Sequence, residues 1–223
     1  DFGKVQLAAN GAYLFKGGFD PTRDIANDDL DPGDQVLAVA LLKWQASSRI
    51  TLDSTVAYSW FAPDRRNGKQ TFQEGQKVVV GGNLRVSQRA LGIVAGGQWA
   101  RQTRNKYLEL EGLKTEPENG NGDESYGVLD VTYAYSPRFT FRFLGTVKYY
   151  AESERQDKEK DLPYVGQRVR YAFGPGLICT LSDRFAVNGL AQYFSMRQAK
   201  DLNVAQDTTF RGVNLSVGVT YTF

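Results

Sequence analysis

In several extended segments of this chain polar and apolar residues alternate, and basic residues recur among the polar positions. Arg168 and Arg170 are two residues apart, and Arg142 has the same parity as Lys148. In a β-strand, residues two apart point to the same side of the sheet. The set that parity places on one face comprises the basic residues Arg85, Arg142, Lys148, Arg168 and Arg170, also Lys4 and Lys43, and the acidic residues Asp53 and Asp130. Cationic groups gathered on one face can attract anions or pair with carboxylates.

The sequence contains no histidine and a single cysteine, Cys179. A serine–histidine–aspartate relay needs an imidazole that titrates near neutral pH, so we expect no catalytic site. One cysteine allows neither an internal disulfide nor a cysteine-based metal site. Its parity with Leu177 and Leu181 favours a small apolar residue over a nucleophile.

A second group of potential ligands lies in the acidic segment 20–34. Asp24, Asp28, Asp29 and Asp31 could offer carboxylate oxygens to Ca²⁺. Their spacing differs from that of an EF-hand loop, and the composition favours a solvated acidic loop. We therefore expect neither a metal nor a cofactor.

Strands must position these side chains, because apolar and polar residues alternate through most of the chain. Ten strands are predicted, over 4–16, 35–47, 49–61, 76–87, 90–103, 125–136, 138–151, 164–181, 184–197 and 209–223. Four junctions are short and carry the pattern Ser-x-Arg, at 47–49, 87–89, 136–138 and 182–184. The other connections are long and polar, and short and long connections alternate strictly.

The faces of the strands indicate the surroundings of the sheet. In the last strand Leu215, Val217 and Val219 point one way, and Asn214 and Ser216 point the other. A soluble barrel of ten such strands would need a very large dry core, whereas lipid can receive the apolar face directly. The fold class predicted is all-β: a transmembrane antiparallel up-and-down β-barrel of about ten strands, one domain over 1–223. Short turns and both termini would lie in the periplasm, and the long loops would be extracellular.

The C-terminal sequence LSVGVTYTF resembles the β-signal of Gram-negative outer-membrane proteins. The residues that carry the resemblance are Leu215, Val217, Val219 and Tyr221 at alternate positions, followed by a terminal Phe223. This resemblance implies a location in the bacterial outer membrane. It also implies recognition by the β-barrel assembly machinery during biogenesis.

The charged face admits two interpretations. In one, Asp53 and Asp130 each pair with an arginine, and salt bridges fill the lumen. In the other, the excess of cations forms a narrow path that favours anions, or a binding site. Ten strands give a backbone radius of roughly 10 Å, and inward side chains would occupy most of that space. The sequence therefore favours a plugged or very narrow lumen.

Three functions remain open for such a protein. The first is a non-enzymatic structural or surface-interaction protein, similar in strand number to ten-stranded adhesins, whose loops contact lipopolysaccharide or another protein. The second is a narrow channel for ions or small anionic solutes. The third is the membrane anchor or exit domain of a larger export assembly with periplasmic partners. A formal charge of +2 gives no reason to expect nucleic acid as a partner.

Overall fold

The computed structural model describes residues 4–17, 29–157 and 161–221, and these form antiparallel β-sheets. The strands are Lys4–Leu14 (β1), Leu30–Asp31 (β2), Gln35–Gln45 (β3), Ile50–Phe61 (β4), Asp64–Arg66 (β5), Lys69–Gln73 (β6), Lys77–Gln88 (β7), Leu91–Gln102 (β8), Lys106–Glu109 (β9), Gly112–Thr115 (β10), Glu124–Ala134 (β11), Phe139–Tyr150 (β12), Gln156–Asp157 (β13), Leu162–Pro163 (β14), Arg168–Ser182 (β15), Phe185–Gln198 (β16) and Thr208–Tyr221 (β17). Among the described residues there is no helix long and apolar enough to cross a membrane.

The ten long strands form one up-and-down sheet in the order β1-β3-β4-β7-β8-β11-β12-β15-β16-β17. Every neighbouring pair is antiparallel, and each strand pairs with the next long strand of the chain. The predicted ten long strands are thereby confirmed. β1 and β17 are the edges of this sheet, and no ladder joins them within the residues that the structure covers.

The Ser-x-Arg junctions are tight turns for a local reason. In three of them the serine Oγ accepts a hydrogen bond from the arginine N–H two residues later: Ser47 to Arg49 at 3.2 Å, Ser136 to Arg138 at 3.3 Å and Ser182 to Arg184 at 3.4 Å. Side-chain oxygens that bind the backbone two residues on stabilise such turns. In the fourth turn Arg89 instead has a left-handed backbone, with φ of 48°.

At the end opposite the short turn, a close backbone contact at a glycine joins the two arms of each hairpin. We call this contact a glycine clasp. Gly33, Gly75, Gly122 and Gly166 precede β3, β7, β11 and β15, and a Cβ at these positions would lie 1.9, 1.9, 2.0 and 2.7 Å from a carbonyl oxygen of the returning strand. Beside each glycine, the next residue's carbonyl accepts a backbone hydrogen bond of 2.8–2.9 Å. Only glycine allows this close approach. The clasps therefore fix the positions of the strand ends from which the long loops leave. We call this end of the large sheet the rim.

The long loops contain a second sheet that the sequence analysis did not predict. Its order is β10-β9-β6-β5-β2, so segments from three different loops hydrogen-bond to one another. The β5–β6 hairpin turns at Asn67 and Gly68, which both have positive φ, as a type I′ turn requires. The rings of Phe72 and Tyr107 lie 5.2 Å apart and join β6 to β9.

The strands of the large sheet are staggered relative to one another. Directly opposed partners lead from Leu42, three residues from the short-turn end of β3, to Ser195, ten residues from the short-turn end of β16. The offset is therefore seven residues over seven strand spacings. With about 3.4 Å per residue and 4.8 Å between strands, it corresponds to a strand tilt of about 35°. The strands are therefore tilted rather than level.

Candidate functional site

The register assigns every residue of the ten long strands to one of two faces. One face carries all nine charged residues singled out in the sequence, and we call it the polar face. Its basic residues are Lys4, Lys43, Lys77, Arg85, Arg142, Lys148, Arg168 and Arg170, and its acidic residues are Asp53, Glu124 and Asp130. The polar face therefore carries an excess of positive charge.

The opposite face is apolar and uncovered. Its charged residues in the ten strands are Arg101, Arg197 and Arg211, all toward the long-loop end. Apolar side chains here are exposed in inner strands, as Val56 at 45% and Phe143 at 43% show, and more so in edge strands, where Leu7 reaches 79% and Val217 reaches 80%. Soluble proteins rarely expose apolar surface on this scale.

Two of the three carboxylates on the polar face are held in ion pairs. Asp53 Oδ2 lies 3.3 Å from Arg85 Nε. Asp130 receives two hydrogen bonds from Arg142, one from Nε at 2.9 Å and one from Nη2 at 2.6 Å. These pairs neutralise two of the cations and leave the rest of the face positive.

Lys148, Arg168 and Arg170 form a cationic cluster at the long-loop end of β12 and β15. Lys148 and Arg170 are directly opposed across the ladder, and Arg168 is two residues from Arg170 on the same face. None of the three has a carboxylate within 4.0 Å among the described residues. Like charges directly opposed across a sheet are destabilising. The cluster is therefore a concentration of uncompensated positive charge.

Aromatic rings replace carboxylates as neighbours of these cations. Lys148 Nζ lies 5.7 Å from the ring centroid of Tyr126, Arg168 Cζ lies 5.3 Å from that of Tyr150, and Arg170 Cζ lies 5.5 Å from that of Phe194. An aromatic face attracts a cation without cancelling its net charge. The rings thus hold the cationic groups while leaving their charge available.

A cavity of about 280 Å³ adjoins this cluster. Gln98, Glu124, Tyr126, Lys148 and Tyr150 contribute to its wall. Nearby, Arg168 Nε is buried and has no hydrogen-bond partner in the part of the chain that the structure describes. A buried donor without an acceptor costs free energy, so an oxygen-bearing ligand in this region would gain a hydrogen bond that the protein does not supply.

Buried polar side chains form hydrogen bonds that connect the loops to one another and to the strand ends beneath the loop sheet. Glu116 Oε1 accepts hydrogen bonds from the backbone N–H groups of Asn105 at 2.8 Å and Gly120 at 3.2 Å. Asn119 Nδ2 donates to the carbonyl of Gln102 at the end of β8, at 2.9 Å. The loops are therefore anchored to the strand ends by specific hydrogen bonds.

Asp201 fastens the last long loop in a similar way. Burial raises the pKa of this carboxyl, but hydrogen bonds from the N–H groups of Asn203, Gly166 and Val204 and from the Gln198 amide outweigh that effect, and its pKa is lowered. In the same loop, the Arg197 guanidinium lowers the pKa of Asp207. Both groups are charged anchors at neutral pH.

The other residues singled out in the sequence are placed as follows. Leu215, Val217, Val219 and Tyr221 lie on the apolar face of β17, whereas Phe223 lies outside the described residues. Of the calcium candidates, Asp24 and Asp28 also lie outside them, and Asp29 and Asp31 lie beside and in β2. Across the described ranges no three acidic or cysteine side chains are placed to hold a metal ion.

Sequence reasoning missed two charges and three rings of this site. Lys77 has the parity of Arg85, so alternation alone could have placed it on the polar face. Glu124 was missed because β11 begins one residue before the predicted start. The rings beside the cations depend on which strands are neighbours and on their register, and a single strand's pattern contains neither.

Comparison of the chain with protein-family models and with curated proteins gives no match.

Proposed function

We propose that this chain is a transmembrane β-barrel of the bacterial outer membrane whose cationic lumen passes small anions. β1 and β17 would pair to close the barrel, the apolar face would contact lipid, and the polar face would line the lumen. Both termini would then lie on the side of the short turns, which is the periplasm in this class of protein.

The uncovered apolar face supports the membrane location. Three hydrophobic residues are buried among the described ones, namely Phe61, Ala100 and Ala172. A water-soluble sheet of this size would need a packed layer over its apolar face. Lipid provides that cover without any additional protein layer, and side chains such as Val217 and Leu215 would gain the most from it.

Three features support closure. The number of long strands is even, so β1 and β17 run antiparallel and can pair. Among the described residues no ladder pairs the outer edge of β1 or that of β17, and backbone groups at an open sheet edge cannot remain unsatisfied in lipid. The tilt of about 35° derived from the ladders of the inner strands lies at the lower end of the 35–45° that barrels require.

The observation that carries the anion assignment is the cationic cluster, which has no carboxylate partner within 4.0 Å among the described residues. The ion pairs of Asp53 and Asp130 lie nearer the short turns, and no ion pair within the described ranges includes Lys148, Arg168 or Arg170. A positive, low-dielectric channel raises the local concentration of anions. We therefore rank the anion path above the plugged lumen that the sequence alone favoured.

A surface-interaction protein is the second candidate, because the loop sheet presents apolar residues to solvent. Leu108 and Leu110 belong to the β9–β10 hairpin and are exposed, Leu110 completely. Hydrophobic residues at an ordered, exposed tip are typical of contacts with another protein or with lipopolysaccharide.

Conductance under a salt gradient tests the first candidate. The refolded protein would be inserted into a planar bilayer, and the reversal potential would be measured with unequal potassium chloride on the two sides. We expect a stable conductance with anion preference that decreases in Arg170→Gln and Lys148→Gln. A folded protein that never conducts would support the second candidate, whose partner would then be sought with a Leu108→Ser, Leu110→Ser variant as control.

A further inference from the structure

We infer that the cationic cluster is a binding site for a small polyvalent oxyanion, which carries several phosphate or carboxylate groups. This inference rests on the proposed function in one respect, because it names the class of solute that the barrel would take up. The site itself depends only on the geometry of β11, β12, β15 and β16.

The spacing of the three cations suits several negative charges rather than one. Directly opposed residues have Cα atoms about 5 Å apart, and residues two apart along a strand are separated by about 7 Å. Lys148 and Arg170 are related in the first way, and Arg170 and Arg168 in the second. A monovalent ion would engage one or two of these groups, whereas a chain of phosphates or a tricarboxylate could engage all three.

The cluster lacks what an oxyanion would supply. Lys148 and Arg170 are directly opposed in the ladder, and among the described residues neither has a carboxylate within 4.0 Å and the buried Arg168 Nε has no acceptor. Bound oxygens would relieve the repulsion and satisfy the donor, and charge-assisted hydrogen bonds to guanidinium are among the strongest in proteins. The rings of Tyr126, Tyr150 and Phe194 keep the three cations in place in the meantime.

Glu124 limits the choice of ligand. It shares the polar face with the cluster, lies opposite Tyr150 and contributes to the adjoining cavity. Its carboxylate would repel a nearby anion, and this cost falls on every anion that enters. A ligand with several charged groups can offset the repulsion through its contacts with Lys148, Arg168 and Arg170, whereas a monovalent anion gains less.

Isothermal titration of the refolded protein in detergent micelles tests this site directly. Inorganic tripolyphosphate and citrate would be the probes, because one offers phosphates and the other carboxylates, and acetate would be the monovalent comparison. We expect tripolyphosphate, citrate or both to bind more tightly than acetate. The stronger of the two identifies the oxyanion chemistry, and binding no tighter than that of acetate would overturn the proposal.

Variants then assign the binding to the cluster. Each of Arg170→Gln and Lys148→Gln should weaken binding about 10- to 100-fold, which corresponds to about 1.4–2.8 kcal/mol for the loss of one charge-assisted hydrogen bond. Arg170→Lys, which keeps the charge, should retain most of the affinity and shows that the fold tolerates a change there. Arg85→Gln removes the same charge from the Asp53 pair and should weaken binding much less, whereas Glu124→Gln should strengthen it.

The outcomes separate this inference from the proposed function. Tight binding that is lost in Arg170→Gln, together with a protein that does not conduct, would keep the site and remove the channel. Anion-selective conductance without oxyanion binding, or binding that Arg170→Gln and Lys148→Gln leave unchanged, would overturn the site and keep the channel.

Discussion

Arg142 holds Asp130 through two parallel hydrogen bonds although the two residues are not directly opposed in the sheet. Asp130 lies opposite Leu144 and Arg142 lies opposite Thr132, so the pair crosses the β11–β12 ladder diagonally. The guanidinium fork matches a carboxylate in this arrangement. The pair has no net charge, so the positive charge of the polar face comes from its other cations, which include the cationic cluster near the long loops.

Breaking this pair from either side should shift ion selectivity in opposite directions. Asp130→Asn leaves Arg142 uncompensated and should raise the preference for anions, whereas Arg142→Gln leaves Asp130 uncompensated and should lower it. The reversal potential under a salt gradient measures both. The double variant restores neutrality and should return to the wild-type value. If the two single variants had the same reversal potential, the pair would not contact the conduction path.

A cation on the apolar face should prevent assembly. Val217→Lys places an ammonium group on the exposed apolar face of β17, where a lysine near the bilayer midplane costs about 2–4 kcal/mol. The fraction of folded protein in lipid vesicles, measured by protease resistance, should fall sharply. Ser216→Lys is the matched control, because the neighbouring side chain belongs to the polar face. Normal folding of Val217→Lys would contradict the assignment of the faces.

The glycine clasps should be intolerant of even one methyl group. A Cβ at Gly75 would lie 1.9 Å from the carbonyl oxygen of Thr103, so Gly75→Ala must displace the backbone at the rim. We expect a loss of about 1–3 kcal/mol in the free energy of unfolding by urea. Gly189→Ala serves as the control, because nothing lies within 4 Å of a Cβ there. Similar stabilities of the two variants would show that the rim can yield at no cost.

The last long loop should loosen in acid. Because the pKa of Asp201 is lowered in the folded protein from its usual 3.8, the charged form stabilises the loop above that pH. This contribution is lost as the pH falls through the lowered value. Amide hydrogen exchange at Asn203 and Val204 should therefore accelerate, relative to the intrinsic rate, in strong acid. Asp201→Asn should show the faster exchange already at neutral pH, and slow exchange in this variant would exclude the carboxylate as the anchor.

The ten long strands could be predicted because each one carries its own signal. Alternation along 213–221 fixed both the strand and its faces, and the Ser-x-Arg pattern located the turns. The alternation is ambiguous in β3, since its sequence is apolar at consecutive positions. Its pairing with β4 resolves the ambiguity by placing Lys43 beside Asp53 on the polar face.

The loop sheet could have been anticipated only in part. Asn67-Gly68 is a strong signal for a two-residue hairpin, and it predicts β5 and β6 locally. The pairing of β6 with β9 joins segments more than thirty residues apart, with Phe72 opposite Tyr107, and no local pattern encodes it. The same limit applies to the rings beside Arg168 and Arg170.

Closure of the ten long strands into a barrel would bring β1 next to β17, so the distance between these two strands distinguishes a barrel from an open sheet. Spin labels would be attached at Gly11→Cys in β1 and Val217→Cys in β17, in a Cys179→Ser background, and the protein would be studied in lipid vesicles by pulsed electron resonance. Closure predicts a distance of about 20 Å or less, because paired strands lie about 5 Å apart. A distance near 40 Å, which corresponds to nine strand spacings of about 4.8 Å, would show an open sheet and exclude the proposed barrel.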